Sequence, residues 1–192
     1  MKTALLSILG MFMLTLNAQQ TIQTKDSILT LALGSCNKQD REQPFWDEII
    51  ELQPDVFIWG GDNIYGDTKD MELLKAKYDR QSSNPGYQRL KNEVPVLGTW
   101  DDHDYGKNDA GREFKMKKES QQLFLDFYDV PKNDPRRDRE GVYHAETILT
   151  PYGTVQIIML DTRYFRSPLR KNKKKGKGKK RYLVMRTEKG LY

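Results

Sequence analysis

Runs of apolar residues divide the chain into short strands that alternate with helices. Three runs typical of buried strands each end at glycine or at polar residues: Ser27–Gly34, Asp55–Trp59 and Val94–Trp100. Apolar residues at helical spacing lie between them and predict helices over Phe45–Leu52, Lys69–Tyr78 and Gly86–Asn92. Alternating strands and helices are typical of an α/β fold, whose ligands bind beyond the carboxyl ends of parallel strands.

The second half of the chain predicts one long helix and a hairpin. Gly111–Tyr128 is the longest helix candidate, because its aromatic and leucine residues form most of one face. The charged, turn-rich segment Pro131–Arg139 follows as a loop. Two β-favouring runs, Val142–Leu149 and Thr154–Leu160, are separated by a Pro-Tyr-Gly turn, which favours a β-hairpin.

Composition indicates one globular domain with a basic end. The 192 residues are 37% hydrophobic and 31% charged, and this length is enough to bury a core. The net charge of +5 is misleading, because the Lys-rich stretch 171–181 carries more positive charge than that and leaves the rest mildly acidic. We expect residues 171–192 to form a disordered tail. Specific nucleic-acid recognition is disfavoured, since the Lys-rich stretch has no interleaved aromatic residues for stacking.

Residues 1–18 are typical of a signal peptide. Lys2 gives a positive start, an apolar run follows over Ala4–Leu16, and Ala18 supplies a small residue for cleavage. The run is short for a bilayer span. We therefore expect export to the periplasm or the medium, no stable membrane insertion after cleavage, and a monomeric domain over residues 19–170. The single cysteine, Cys36, fits export because it has no partner for an intrachain disulfide. In an alternative interpretation, Leu33–Cys36 is a lipoprotein cleavage box.

Residue types suited to metal binding follow all three apolar runs. GSC (Gly34–Cys36), GGDNIYGD (Gly60–Asp67) and TWDDHDYGKND (Thr99–Asp109) bring carboxylates, a thiol, a phenol and an imidazole to one edge of the sheet. Crowded carboxylates repel one another at neutral pH, and a bound cation is the simplest compensation. The sequence therefore predicts part of a metal-dependent hydrolase that acts on phosphate esters.

Single residues in these segments have both functional and structural interpretations. Asp62 is placed to bridge two cations and Tyr65 to supply a phenolate, but an Asp-Asn turn with Tyr65 in the core is an equal alternative. His103 is either a ligand or proton donor, or a structural histidine bonded to carboxylates. Cys36 is either inert packing or a thiolate ligand. Asn108 offers a neutral carbonyl ligand for a hard cation.

These segments, together with LDTRYFR (Leu160–Arg166), resemble the alkaline phosphatase D (PhoD-like) branch of the metallophosphatases. The resemblance runs from about Ile28 to Arg166 and concerns the N-terminal part of that family's catalytic domain. It implies an α/β, metallophosphatase-like sandwich of two sheets flanked by helices, with a multinuclear site of iron and calcium. Carried over by motif, the metal ligands are Cys36, Asp62, Tyr65 and Asn108, with Asp62 bridging iron to calcium.

The resemblance also implies hydrolysis of a phosphate ester by a metal-activated water. His103 is our candidate for protonating the leaving alcohol. Arg163 is our candidate for clamping a phosphate through paired hydrogen bonds, and a structural pairing of Arg163 with Asp161 is the alternative. The substrate stays open among monoesters, diesters, phospholipids and wall polymers.

Later segments of that family supply further Asp and His ligands, and we do not find them in this sequence. Its two histidines are His103 and His144, and His144 lies in the predicted hairpin, where we expect a structural role. We therefore expect a truncated domain with poor stability and weak or no phosphatase activity. Two alternatives to a hydrolase stay open, a non-catalytic secreted calcium-binding protein and an inactive fragment.

Overall fold

The structure is a computed structural model that describes residues 21–24, 28–170, 172 and 182. The predicted signal peptide and nearly all of the Lys-rich tail lie outside the described residues. The described part contains two three-stranded sheets, with strand orders β2-β3-β4 and β1-β5-β6. The strands are β1 (Ile22–Gln23), β2 (Leu31–Gly34), β3 (Val56–Gly60), β4 (Val96–Thr99), β5 (His144–Thr150) and β6 (Gly153–Met159).

Five α-helices of the described residues flank the sheets or connect their strands. They are α1 (Trp46–Glu51), α2 (Met71–Ser82), α3 (Pro85–Glu93), α4 (Asp102–Tyr105) and α5 (Lys117–Phe127), and a short 3-10 turn covers Pro135–Arg137. Local capping explains two boundaries. The Asp70 side chain accepts hydrogen bonds from the first turn of α2, and the Asn84 side chain does the same for α3, which begins at Pro85.

The first sheet is parallel, and its register aligns the ends of its three strands. Gly34 pairs with Trp59, and Gly60 pairs with Thr99. The segments that follow β2, β3 and β4 therefore leave the sheet at one edge, as the sequence predicts.

The core lies on both faces of this first sheet. On one face, the rings of Trp46, Trp59 and Tyr87 pack edge-on or tilted at centroid distances of 5.2 to 6.0 Å. On the other face, Val56 and Ile58 pack with Ile148 and Met159 of the second sheet. The predicted α/β sandwich of two sheets with flanking helices is thus confirmed.

Two expectations about single elements are wrong. The run that contains β2 is not a buried strand, because β2 lies at the edge of its sheet and leaves Ile28 and Leu33 about three-quarters exposed, at 75% and 74%. The helix predicted from Gly111 begins only at Lys117, so α5 has 11 residues and α2, with 12, is longer. Residues before Lys117 form turns instead, and the backbone N–H of Arg112 donates to the Arg166 carbonyl.

The hairpin of β5 and β6 is confirmed and leaves an apolar outer face. Its antiparallel register pairs His144 with Met159 and Thr150 with Gly153. Ile158 and Leu160 alternate with the inward residues and are 63% and 66% exposed. No helix within the described residues has the length and apolar character needed to cross a membrane.

Candidate metal centre

A tight turn after β3 positions Asp62. Gly61 has a φ of +104°, and a Cβ at this position would lie 2.7 Å from the Cβ of Asp101. Only glycine fits both the backbone conformation and the space. The turn therefore brings the loop after β3 against the loop after β4, which contains the remaining carboxylates.

Left-handed backbone at two predicted ligands brings their side chains together. Cys36 and Asp62 have φ values of 56° and 51°, and such conformations are costly for residues other than glycine. The two loops are joined by a hydrogen bond of 2.9 Å from the Asn37 N–H to the Asp62 carbonyl. The Cys36 Sγ atom consequently lies 3.7 Å from Oδ2 of Asp62.

Three side chains form a group with the spacing of metal ligands. Asp62, Asp102 and His103 each offer one ligand atom, and these atoms lie within 4.8 Å of one another. Asp62 and Asp102 are buried, at 7% and 8% exposure. Two buried carboxylates beside an imidazole are a costly arrangement that a cation relieves.

The pKa values of the two carboxylates in this cluster are shifted in opposite directions. Burial raises the pKa of Asp62, and the charges of Asp101 and Asp102 add to this effect, while His103 opposes it. Burial also acts to raise the pKa of Asp102, but the Asp109 N–H and the Arg163 guanidinium outweigh it and lower that pKa. Burial thus outweighs the stabilisation by His103 at Asp62, whereas the neighbouring donors outweigh burial at Asp102.

Tyr65 lies against the cluster through both its ring and its phenol. Its ring centroid is 4.2 Å from that of His103. Burial raises the pKa of the Tyr65 phenol, followed by the charges of Asp62 and Cys36 and a hydrogen bond with the Cys36 thiol. The structure therefore brings Cys36, Asp62 and Tyr65 together.

Asn108 joins the cluster through neighbouring carboxylates. Its side-chain amide donates to Oδ2 of Asp102 at 3.0 Å, and its backbone N–H donates to Oδ1 of Asp67 at 3.0 Å. The other oxygen of Asp67 lies 2.6 Å from Nδ1 of His103. Asp67 thus holds both Asn108 and His103 in place.

Arg163 reaches the site from the second sheet. Its guanidinium forms an ion pair with Asp101 and lies 3.6 Å from Oδ1 of Asp102. Asp161, named as its partner in the structural alternative, accepts the backbone N–H groups of Arg163 and Tyr164, so the guanidinium pairs with Asp101 and not with Asp161. A hydrogen bond of 2.8 Å from the Thr99 hydroxyl to the Leu160 carbonyl ties β4 to the end of β6 and brings this loop to the cluster.

Asp102 and Asp67 belong to the candidate site, although the sequence analysis does not predict them as site residues. Asp102 stands among three aspartates in WDDHD, and the start of α4 directs it toward the cluster while Asp104 turns inward. Asp104 is fully buried and accepts the N–H groups of Asn63 and Asp101. The start of a helix within this motif is the signal that distinguishes the carboxylate of the cluster, Asp102, from the buried carboxylate, Asp104.

His144 lies in β5, and its Nδ1 atom is 3.0 Å from the Val142 carbonyl.

The two sheets, their flanking helices and the acidic cluster define a mixed α/β fold with a candidate metal centre. The solved structure of PhoD is similar to this chain, with a TM-score of 0.59 and 16% sequence identity. The match covers 73% of this chain and 32% of the PhoD chain, so this chain spans about a third of that protein's length. At this identity the likeness establishes the fold. No protein-family model matches the sequence, and a comparison with curated protein sequences gave no match.

Proposed function

We propose that the chain provides part of the metal centre of a phosphoester hydrolase of the alkaline phosphatase D type. One observation carries the proposal. Three consecutive parallel strands bring Cys36, Asp62 and Asp102, with Tyr65 and His103 beside them, to a single cluster. The similarity of the fold to that of PhoD supports the same reaction class.

The donor set fits iron with calcium. Carboxylate and phenol oxygens with a thiol suit iron, and carboxylate with amide oxygens suits calcium. Cys36, Asp62 and Tyr65 would hold iron, with Asp62 shared with calcium and Asn108 on the calcium side. The position of Asp62 supports this assignment, because it lies within ligand distance of Asp102 and His103 and 3.7 Å from the Cys36 thiol. A bound cation polarises phosphoryl oxygens and lowers the pKa of a coordinated water.

The remaining residues would bind and protonate the substrate. Asp67 fixes Nδ1 of His103, which leaves Nε2 as the ring atom that can donate a proton to the leaving alcohol. Asp101 orients the Arg163 guanidinium beside Asp102. The planar guanidinium of Arg163 can donate paired hydrogen bonds to a phosphate.

Metal content and hydrolysis of the purified chain test the proposal. We expect iron and calcium in the wild-type chain, loss of both in Asp62→Asn, and retention in Asp79→Asn, which removes an exposed carboxylate of α2. Hydrolysis of bis(p-nitrophenyl) phosphate should follow metal content, at a low rate. A wild-type chain that retains no more iron and calcium than Asp62→Asn would contradict the proposal.

A calcium-binding protein without activity is the second candidate. The observation that favours it is an oxygen-rich group in which Asn108 donates to both Asp102 and Asp67. Calcium without iron, unaffected by Cys36→Ser, is the result expected for it.

We further propose that the chain is exported to the periplasm or the medium and acts as a monomer on a phosphate-ester substrate. The signal-like sequence of residues 1–18 supports export.

A further inference from the structure

A cavity adjoins the metal cluster and shares Tyr65 with it. Its volume is about 430 Å³, and its lining includes Lys38, Asp40, Tyr65, Leu73, Lys77 and Arg80. Three of these residues are cationic and one is a carboxylate. The cavity is therefore basic, whereas the neighbouring metal cluster is acidic.

One face of α2 builds most of this cavity. Leu73, Lys77 and Arg80 follow one another at intervals of four and three residues, which places them on the same side of the helix. Lys75 lies on the other side, where it pairs with Asp79 at 2.7 Å. The helix thus directs two of its basic residues to the cavity and leaves a third outside it.

The cations of the cavity are available to an anion. Lys77 is held in place by the carbonyls of Tyr65 and Gly66, at 3.0 and 2.7 Å, and an ammonium group has a third N–H to donate. Lys38 lies 5.2 Å from the centre of the Tyr65 ring. Within the described part of the chain, neither Lys38 nor Arg80 forms an ion pair with a carboxylate.

We propose that this basic cavity binds a second phosphate group of the substrate. The inference rests on the proposed function, because it places the scissile phosphate at the metal cluster and the second phosphate in the cavity that Tyr65 also lines. The substrate class is then a phosphoester with two phosphate groups. Arg and Lys side chains suit phosphate oxygens, and their field also attracts an anionic substrate toward a cluster of carboxylates that repels it.

Binding of two nucleotides that differ by one phosphate tests this inference. Thymidine bisphosphate, with a phosphate on each deoxyribose hydroxyl, is compared with thymidine monophosphate by calorimetry on the wild-type chain with its metals. We expect the bisphosphate to bind about tenfold more tightly, as two partly exposed charge-assisted contacts allow. Lys38→Gln and Arg80→Gln should each reduce this preference, and the double variant should abolish it. Lys75→Gln removes a charge from the same helix and should leave the preference unchanged.

The results separate the inference from the proposed function. Equal affinity for the two nucleotides, no measurable binding of the bisphosphate, or a preference that survives in the double variant would each overturn the cavity site. The same titrations on EDTA-treated protein and on Asp62→Asn measure the cavity without the metals. If the wild-type chain retains no metal while binding still depends on Lys38 and Arg80, the proposed function fails and the cavity site stands.

Discussion

Asp67 forms a contact of 2.6 Å with Nδ1 of His103, and its second oxygen accepts the Asn108 N–H. One exposed carboxylate therefore positions a candidate proton donor and a candidate calcium ligand at the same time. Asp67 has a φ of 48°, a left-handed backbone conformation that is uncommon for residues other than glycine. This conformation places the Asp67 carboxylate between His103 and Asn108.

Asp67→Asn should weaken the site without unfolding the chain. Outer residues that orient ligands typically change metal affinity or activity by about 10–100-fold when replaced. We expect a loss in this range for calcium affinity, measured by titration, and for ester hydrolysis. Asp138→Asn, which changes an exposed aspartate outside the site, serves as the control. Unchanged calcium affinity in Asp67→Asn would remove its assigned positioning role.

Gly61→Ala should destabilise the fold by more than its backbone conformation alone explains. The left-handed backbone costs about 1–3 kcal/mol, and the added Cβ would also press against Asp101 at 2.7 Å. Gly153→Ala is a matched control, because Gly153 has a positive φ with no atom near an added Cβ. Urea unfolding of both variants compares the two costs. An equal loss in both would show that the contact with Asp101 relaxes.

Cys36→Ser should lower iron affinity and leave calcium content unchanged. The hydroxyl of serine replaces a thiol that lies 3.7 Å from Asp62, and a thiolate is the softer ligand, which iron accepts and calcium does not. Elemental analysis of the purified variants measures both metals. Ser35→Ala, at the neighbouring exposed position, should retain both. Full iron content in Cys36→Ser would show that the exposed Cys36 thiol is not an iron ligand.

His144 should make the fold less stable in mildly acidic solution. Burial lowers the pKa of His144, and the hydrogen bond to the Val142 carbonyl opposes this effect only in part. The unfolded chain then takes up a proton near pH 6.5 that the folded chain does not. Stability is fully present above about pH 6.5 and is lost as the pH falls through the lower pKa of the folded state.

The free energy of unfolding, measured from about pH 7.5 to about pH 5, tests this sign. His144→Gln should show a shallower decline than the wild-type chain, because the variant lacks the imidazole whose pKa is lowered in the folded state. A steeper decline in the variant would reverse the assignment.

Ile158→Lys should reduce aggregation on heating without loss of stability, because Ile158 is 63% exposed. β6 lies at a sheet edge, and the run Thr154–Leu160 has no charge to prevent edge pairing. The matched variant Ile157→Lys changes the neighbouring residue, which packs between the sheets, and should unfold the protein. Light scattering and thermal unfolding distinguish the two. Equal behaviour of both variants would contradict the alternation of β6.

Local pattern was sufficient to predict the elements that position the site. The apolar runs located β2, β3 and β4, and parallel pairing then required Cys36 and Asp62 to meet. Other features depend on contacts between distant segments. β1 has only two residues, and its pairing with the distant β5 defines it as a strand. The exposure of Leu33 likewise depends on which strand lies beside β2. The pairing of Arg163 with Asp101 depends on how the two sheets are stacked, and no spacing in the sequence encodes it.

The hydrogen bond from the Thr99 hydroxyl to the Leu160 carbonyl has a dynamic consequence. It joins two sheets whose strands are hydrogen-bonded only within each sheet. A partial opening that parts the sheets would withdraw the Arg163 guanidinium and leave the carboxylates of the first sheet in place. Under the proposed function, a phosphate bound by Arg163 would then be released before a cation bound by these carboxylates. Amide exchange in β6 and the rate of phosphate release should accordingly rise together.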